Sequence, residues 1–115
     1  MENNPNAKLL RIFIGESAKI GFNTLYETIV IEAKKKGLSG ATVTRGMMGF
    51  GANSKIHTAK LLEISSDLPI IIEIVDTEEK IRDFTKIVEQ LFEESKSSGL
   101  VTLEKAEIIR YKAGK

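Results

Sequence analysis

Hydrophobic and polar residues alternate along several stretches of the chain, and that period of two predicts β-strands. In residues 8–14 apolar side chains fall on both faces, which is typical of a central strand. Residues 70–75 are the most apolar stretch and predict the most buried strand. Glu73 interrupts it, and Arg11 or Arg45 on neighbouring strands would neutralise that carboxylate. The remaining predicted strands are residues 41–50, 56–64 and 101–111.

Two other stretches carry apolar residues at helical spacing and begin with capping motifs. Thr24 and Glu27 match a capping box, and Gly37 is a natural residue just past a helix end, so the first predicted helix is residues 24–36. Asp76-Thr-Glu-Glu79 begins a second predicted helix, which ends at Ser97-Ser-Gly99. Before the first strand the chain is polar. We expect a disordered tail at residues 1–7 and a single domain at residues 8–112.

Residues 56–64 would return beside the second strand; apart from them, the order of the predicted elements is strand, helix, strand, strand, helix, strand. This order is that of the split βαβ, or ferredoxin-like, arrangement. We therefore expect an α+β fold, a βαββαβ sandwich in which two helices cover one face of a four-stranded antiparallel sheet. The other face would expose apolar side chains such as Leu9 and Phe13, and a symmetric oligomer is the usual way to bury them.

Composition narrows the classes of function. The chain has 115 residues, 42% of them hydrophobic, and a net charge of +1, which fits one globular domain with no electrostatic case for nucleic acid or a membrane surface. With no Cys and 1 His, it lacks thiolate chemistry and is poorly supplied for a zinc site. No apolar run approaches the ~20 residues of a membrane span, and the polar N-terminus is unlike a signal peptide. We expect a cytoplasmic protein.

The segment from Gly40 to Gly51 is the first candidate for chemistry. Gly46, Gly49 and Gly51 would let the backbone turn its N–H groups outward, and such groups bind anions. The spacing matches neither a Walker P-loop nor a dinucleotide fingerprint. A glycine-rich bulge before a hairpin, where the backbone closely approaches another segment, explains the pattern at least as well.

Charged residues near the C-terminus and in the middle of the chain give further candidates. Arg110 and Lys112 fall on the same side of the last predicted strand, where two cations can hold a phosphate chain. The same charges would also serve simply to keep a sheet edge solvated. His57, the one imidazole, is a candidate general base or a loop residue with a hydrogen-bonding contact. No nucleophile or carboxylate partner is fixed near it by the local sequence.

A set of short segments, taken together, is specific to one family: Leu10–Ser17, Leu25–Glu27, Gly37–Gly46, Gly49–Gly51, Ile56–Ala59, Asp67–Pro69, Ile72–Asp76 and Gly99–Thr102. With them the sequence resembles a PII-like family of small, uncharacterised bacterial and archaeal proteins, grouped as a domain of unknown function. The family belongs to the PII signal-transduction superfamily. The resemblance extends from about Leu10 to Tyr111, which is nearly the whole domain.

The resemblance implies a homotrimer that binds ATP or ADP between subunits and signals through a loop between the second and third strands. Thr42 then matches an adenine-contacting position. The ligand positions carried over beside it are Gly49, Phe50, Gly51, Gly99, Arg110 and Lys112. The partner loop would comprise Ala52, Asn53, Ser54, Lys55 and His57. Ala52-Asn53 stands where PII proteins have Arg-Gln, so magnesium-dependent binding of 2-oxoglutarate is not implied.

Our first hypothesis is a regulatory protein, not an enzyme. It would bind ATP, ADP, AMP or a similar small anion between subunits and signal through residues 51–57 to a protein partner. The resemblance makes a membrane transporter or channel a reasonable partner. The alternative is a divalent-metal or ion-tolerance protein of the same fold, with His57 and nearby carboxylates as ligands. An enzyme ranks last, because no acid, base and nucleophile converge in the sequence.

Overall fold

The strands and helices follow the predicted order, with short hairpins added. The structure, a computed structural model, describes residues 1–52, 57–58 and 67–114, with backbone only at 57–58. The strands are β1 (Asn4–Gly15), β2 (Lys19–Ile20), β3 (Asn23–Thr24), β4 (Thr42–Arg45), β5 (Met48–Gly49), β6 (His57–Thr58), β7 (Pro69–Asp76) and β8 (Leu100–Ile108). The helices are α1 (Leu25–Lys35) and α2 (Glu78–Ser95). Neither helix of the described chain is long and apolar enough to cross a membrane.

The main sheet has four strands in the order β4-β7-β1-β8, and every neighbouring pair is antiparallel. Strand β1 lies inside the sheet, where Arg11 is opposite Glu73 of β7 on one side and Thr102 of β8 on the other. Two helices and this strand order make up the ferredoxin-like arrangement. The predicted fold class is therefore confirmed.

One face of the sheet packs against both helices and forms the core. Its fully or almost fully buried members are Leu10, Ile12, Ile14, Leu25, Ile29, Ile70, Ile72, Ile74, Ile81, Phe84 and Val88. Because side chains alternate along a strand, the residues between them point to the opposite face. On that open face Leu9, Phe13, Ile71 and Val75 are half-buried, and Leu100 is 56% exposed.

Both helices begin at the predicted motifs, with a shift of one residue at α2. The Thr24 hydroxyl oxygen accepts a hydrogen bond from the Glu27 N–H at 3.3 Å, which is the N-cap bond of α1. The same hydroxyl donates to the Glu27 carboxylate at 2.6 Å. Thr77 is the N-cap of α2. Gly37, with a φ of 77°, adopts the left-handed backbone that favours glycine just after α1.

The two ends of the β1–β8 pair differ from the prediction. β1 begins at Asn4, which pairs with Ile108, so residues 4–7 of the predicted disordered tail belong to the sheet. β8 ends at Ile108 and not at Tyr111, because the left-handed Asn3 (φ 55°) turns the partner strand away. Arg110 and Lys112 therefore lie past the strand, and the alternation expected to align them does not apply.

The predicted second strand, residues 41–50, is divided in two. β4 ends at Arg45, and the Gly46 N–H donates to the Pro69 carbonyl oxygen at 2.7 Å where the chain turns. The chain then forms the β5–β6 pair, in which Gly49 is opposite His57. Of the predicted third strand, residues 56–64, the described part is limited to β6. The β2–β3 hairpin, which lies between β1 and α1, is not among the predicted strands.

Candidate functional site

Three parts of the chain meet at Ser39. Its N–H donates to Asp76 Oδ2 at 2.8 Å, and its hydroxyl donates to the Val75 carbonyl oxygen. The Tyr111 hydroxyl donates to the Ser39 carbonyl oxygen at 2.6 Å. The loop before β4, the end of β7 and the C-terminal segment are therefore joined at one residue.

Asp76 gives this junction a fixed acceptor. Its side chain is 2% exposed, and its second carboxylate oxygen accepts a hydrogen bond from the Thr77 N–H at 2.6 Å. Removing a carboxylate from water is costly unless hydrogen bonds replace the lost hydration. The N–H groups of Ser39 and Thr77 supply those bonds, and they tie Ser39 to the start of α2.

A groove of about 410 Å³ opens beside this junction, and we call it the Ser39 groove. Its lining combines apolar side chains with two charged residues, Arg110 and Glu107, and consists of Met1, Ser39, Val75, Glu107, Ile108, Ile109, Arg110 and Tyr111. An apolar wall with one guanidinium at its edge suits a ligand that has a flat apolar part and an anionic part.

A second groove, of about 360 Å³, is lined by residues 38–41 of the same loop and shares Ser39 with the first. Val30, Ala33 and Leu38 form its apolar lining, and Lys34 adds a positive charge. The loop that contributes to both grooves leads directly into Thr42, the first residue of β4. The predicted adenine-contacting residue and the predicted phosphate-binding Arg110 therefore belong to the same region of the molecule.

The predicted glycines cluster at the opposite end of the sheet, around Pro69, and two of them have a packing role. A Cβ added at Gly46 would lie 2.7 Å from Pro69 Cγ, and one at Gly49 would lie 3.1 Å from it. The close approach expected of a glycine-rich strand is therefore an approach to Pro69. At Gly51 an added Cβ would meet no described atom within 4 Å, and the neighbouring Phe50 is 72% exposed.

Gly99 also lies at the Pro69 end of the sheet, and close packing accounts for it. An added Cβ would lie 2.6 Å from the Phe92 ring and 2.8 Å from the Phe13 carbonyl oxygen. Those contacts exclude any side chain at position 99. The glycine is required here by packing, whether or not its N–H meets a ligand.

The predicted ligand residues thus form two groups that are far apart within one chain. Gly99 precedes β8, and Arg110 and Lys112 follow it. The 9 residues of β8 span about 26 Å at the usual strand rise of about 3.3 Å per residue. Lys112 is not among the residues that line the groove, and its Nζ lies 4.0 Å from the Glu2 carboxylate. One protomer does not bring the glycines and the C-terminal cations to a single ligand.

The open face of the sheet carries an ion cluster at its centre. Arg11 Nε donates to Glu73 Oε2 at 2.8 Å, and Arg11 Nη1 donates to Glu104 Oε1. The hydrogen bond to Glu73 raises the pKa of Arg11 further, so the guanidinium stays charged. This pairing confirms Arg11 as the partner expected for Glu73, whereas Arg45 pairs with Glu16 at 3.1 Å. The cluster contains one more negative than positive charge.

The predicted partner loop is described only in part. Ala52 is exposed and follows Gly51. His57 lies in the backbone ladder of the β5–β6 pair. Asn53, Ser54 and Lys55 lie outside the described residues. Among the residues that the structure does describe, no three His, Cys, Asp or Glu side chains are grouped so as to hold a metal ion.

Sequence reasoning missed the junction residues Ser39 and Tyr111. They are 72 residues apart, and no local pattern indicates that they meet. Asp76 was noted only as a residue before a helix. Its position as the last residue of a strand whose alternate residues are all buried is the signal that could have identified a buried carboxylate.

Comparison with known proteins links the chain to one family. Residues 7–108 match the family model DUF190, described as "Uncharacterized ACR, COG1993". A UPF0166 protein of Aquifex aeolicus (strain VF5) is 40% identical over 102 residues, covering 89% of this chain and 92% of the relative. A UPF0166 protein of Methanocaldococcus jannaschii is 35% identical over 97 residues, covering 84% and 86%.

Solved structures give the same fold at lower identity. CPII, a nitrogen regulatory PII-like protein from Thiomonas intermedia K12 bound to ADP, AMP and bicarbonate, superposes with a TM-score of 0.69 at 21% identity. The superposition covers 90% of this chain and 89% of CPII. The expected likeness to PII-like proteins is therefore confirmed at the level of the fold.

Proposed function

The chain belongs to the DUF190 family, and from that membership and its PII-like fold we propose that it is a regulatory protein with a ligand site between subunits. The ligand is an adenine nucleotide or a similar small anion. Thr42 meets the ring, and Arg110 meets the anionic part. The backbone around Gly51 of the neighbouring subunit completes the ligand site.

The separation of the two groups of ligand residues carries this proposal. One protomer holds Arg110 at the Ser39 groove and Gly51 beyond Pro69, with the length of β8 between the two ends of the sheet. A second copy, placed head to tail against the first, would bring its glycine segment to the groove. A site divided in this way forms only in an oligomer, so ligand binding and assembly are linked.

The ligand class rests on the chemistry of the groove and on CPII. The apolar side chains of the groove suit the base of a nucleotide, and its one guanidinium, that of Arg110, suits a phosphate. CPII, which has the same fold, binds ADP and AMP. Ligand binding would signal through residues 51–57 to a protein partner, such as a transporter or channel in the membrane, by favouring the conformation that the partner binds.

A thermal-shift screen tests the proposal directly. ATP, ADP, AMP, cyclic nucleotides and 2-oxoglutarate are each added with and without Mg²⁺. A ligand present at 100 times its Kd adds about 2.7 kcal/mol to the stability of the native state. We expect a nucleotide to raise the Tm of the native protein and to lose that effect in Arg110→Ala.

Arg82→Ala is the matched control, because Arg82 is exposed on α2 and pairs only with Glu78 in the same helix among the contacts described. It should respond to the nucleotide as the native protein does. A folded, oligomeric protein with no shift from any nucleotide would overturn the proposal. Binding of a divalent metal that disappears in His57→Ala would instead favour the ion-tolerance alternative.

A further inference from the structure

The hydrogen bond between Tyr111 and Ser39 is made by the residue that directly follows Arg110. Residues 109–112 follow the last sheet-paired residue, Ile108, so the ladder no longer holds them. The polar side-chain contacts described for this segment are the hydrogen bond from the Tyr111 hydroxyl to the Ser39 carbonyl oxygen, at 2.6 Å, and the weaker approach of Lys112 Nζ to the Glu2 carboxylate, at 4.0 Å.

The acceptor of this bond cannot easily move. The N–H and the hydroxyl of Ser39 are both engaged, with Asp76 and Val75 respectively. Asp76 is buried and also bonded to the first residues of α2. A tail that is bonded to this carbonyl is therefore bonded to the core, and Arg110, one residue before Tyr111, is kept among the residues that line the Ser39 groove.

We propose that Tyr111 is a positioning residue for the ligand site, whose hydroxyl fastens the C-terminal segment to Ser39 and so holds Arg110 ready for an anion. This inference rests on the proposed function. A ligand that needs Arg110 binds only those protein molecules in which the C-terminal segment is bonded to Ser39. The apparent Kd of the ligand is therefore inversely proportional to the fraction of such molecules. One hydrogen bond of ordinary net strength biases such an equilibrium about fivefold.

Tyr111→Phe tests the inference, because it removes the hydroxyl and keeps the ring. Tyr26→Phe is the matched control, since Tyr26 is partly buried against the core and distant in sequence from the groove. The first readout needs no ligand. Backbone order parameters measured by NMR for Arg110 and Tyr111 should be near 0.85 in the native protein and in Tyr26→Phe, and below about 0.6 in Tyr111→Phe.

The second readout is the Kd for ADP. We expect it to rise in Tyr111→Phe, by at most about fivefold and by about twofold if three quarters of the native molecules have the hydrogen bond, and to stay unchanged in Tyr26→Phe. Arg110→Ala should weaken ADP binding more than Tyr111→Phe does. Unchanged order parameters in Tyr111→Phe would overturn the inference, because the tail would then be held by something else. A mobile tail with an unchanged ADP affinity would overturn it too, and would leave the proposed function intact. Failure of the native protein to bind ADP would overturn both.

Discussion

At the scale of single residues, a glycine can be required either by close packing or by contact with a ligand. The resemblance to PII proteins implies that Gly99 is a ligand position, yet the Phe92 ring and the Phe13 carbonyl oxygen already exclude a side chain there. Gly51 has open space around its Cα among the described residues. The two glycines look alike in the sequence, because their difference depends on residues distant along the chain.

Gly99→Ala should therefore destabilise the protein in the absence of any ligand. The added methyl would overlap a backbone oxygen, and overpacking of this kind costs about 1–3 kcal/mol. Urea denaturation measures the loss of unfolding free energy. Gly40→Ala is the control, since an added Cβ there meets no described atom within 4 Å. Equal stability of Gly99→Ala and the native protein would show that the backbone at Gly99 is free to shift.

At the scale of elements, alternation and capping predicted the helices and the sheet well, because both depend on neighbours within a few residues. Thr24, Glu27 and Gly37 determine α1 through local contacts. The ends of β1 and β8 were predicted less well, because a strand ends where its partner ends and the partner is remote in sequence. For the same reason the sequence did not indicate the role of Asp76, since one of its hydrogen-bond partners, Ser39, is distant along the chain.

Asp76→Ala should loosen three elements together. It removes two hydrogen bonds to a buried carboxylate and leaves the N–H of Ser39 without its acceptor, which should cost about 3 kcal/mol. The measurement is urea denaturation, with Asp83→Ala as the control, because Asp83 is 72% exposed and makes only a 3.9 Å contact with Lys86. If both variants lose the same small amount of stability, the junction at Ser39 does not depend on its carboxylate.

At the scale of the whole molecule, the open sheet face and the divided ligand site both require a second copy of the chain. The face carries apolar side chains around the Arg11 cluster, including Phe13, Ile71 and Leu100. Exposed apolar patches of this kind mark interaction surfaces. The sequence predicted both the apolar patch and the need for a partner copy. Alternation along the strands is enough to assign apolar side chains to the open face, and a partner copy would bury them. Alternation does not give the number of copies, and the resemblance to PII proteins implies three.

Self-association through this face is testable by one substitution. Ile71→Glu places a carboxylate on the open face, where desolvating it in an interface without a partner would cost several kcal/mol. In sedimentation equilibrium the native protein should have three times the mass of one chain, and Ile71→Glu should approach the mass of one. Phe22→Glu is the control, because Phe22 is fully exposed at the tip of the β2–β3 hairpin, away from this face. An Ile71→Glu protein that remains trimeric would place the interface elsewhere, and a monomeric native protein would remove the site between subunits altogether.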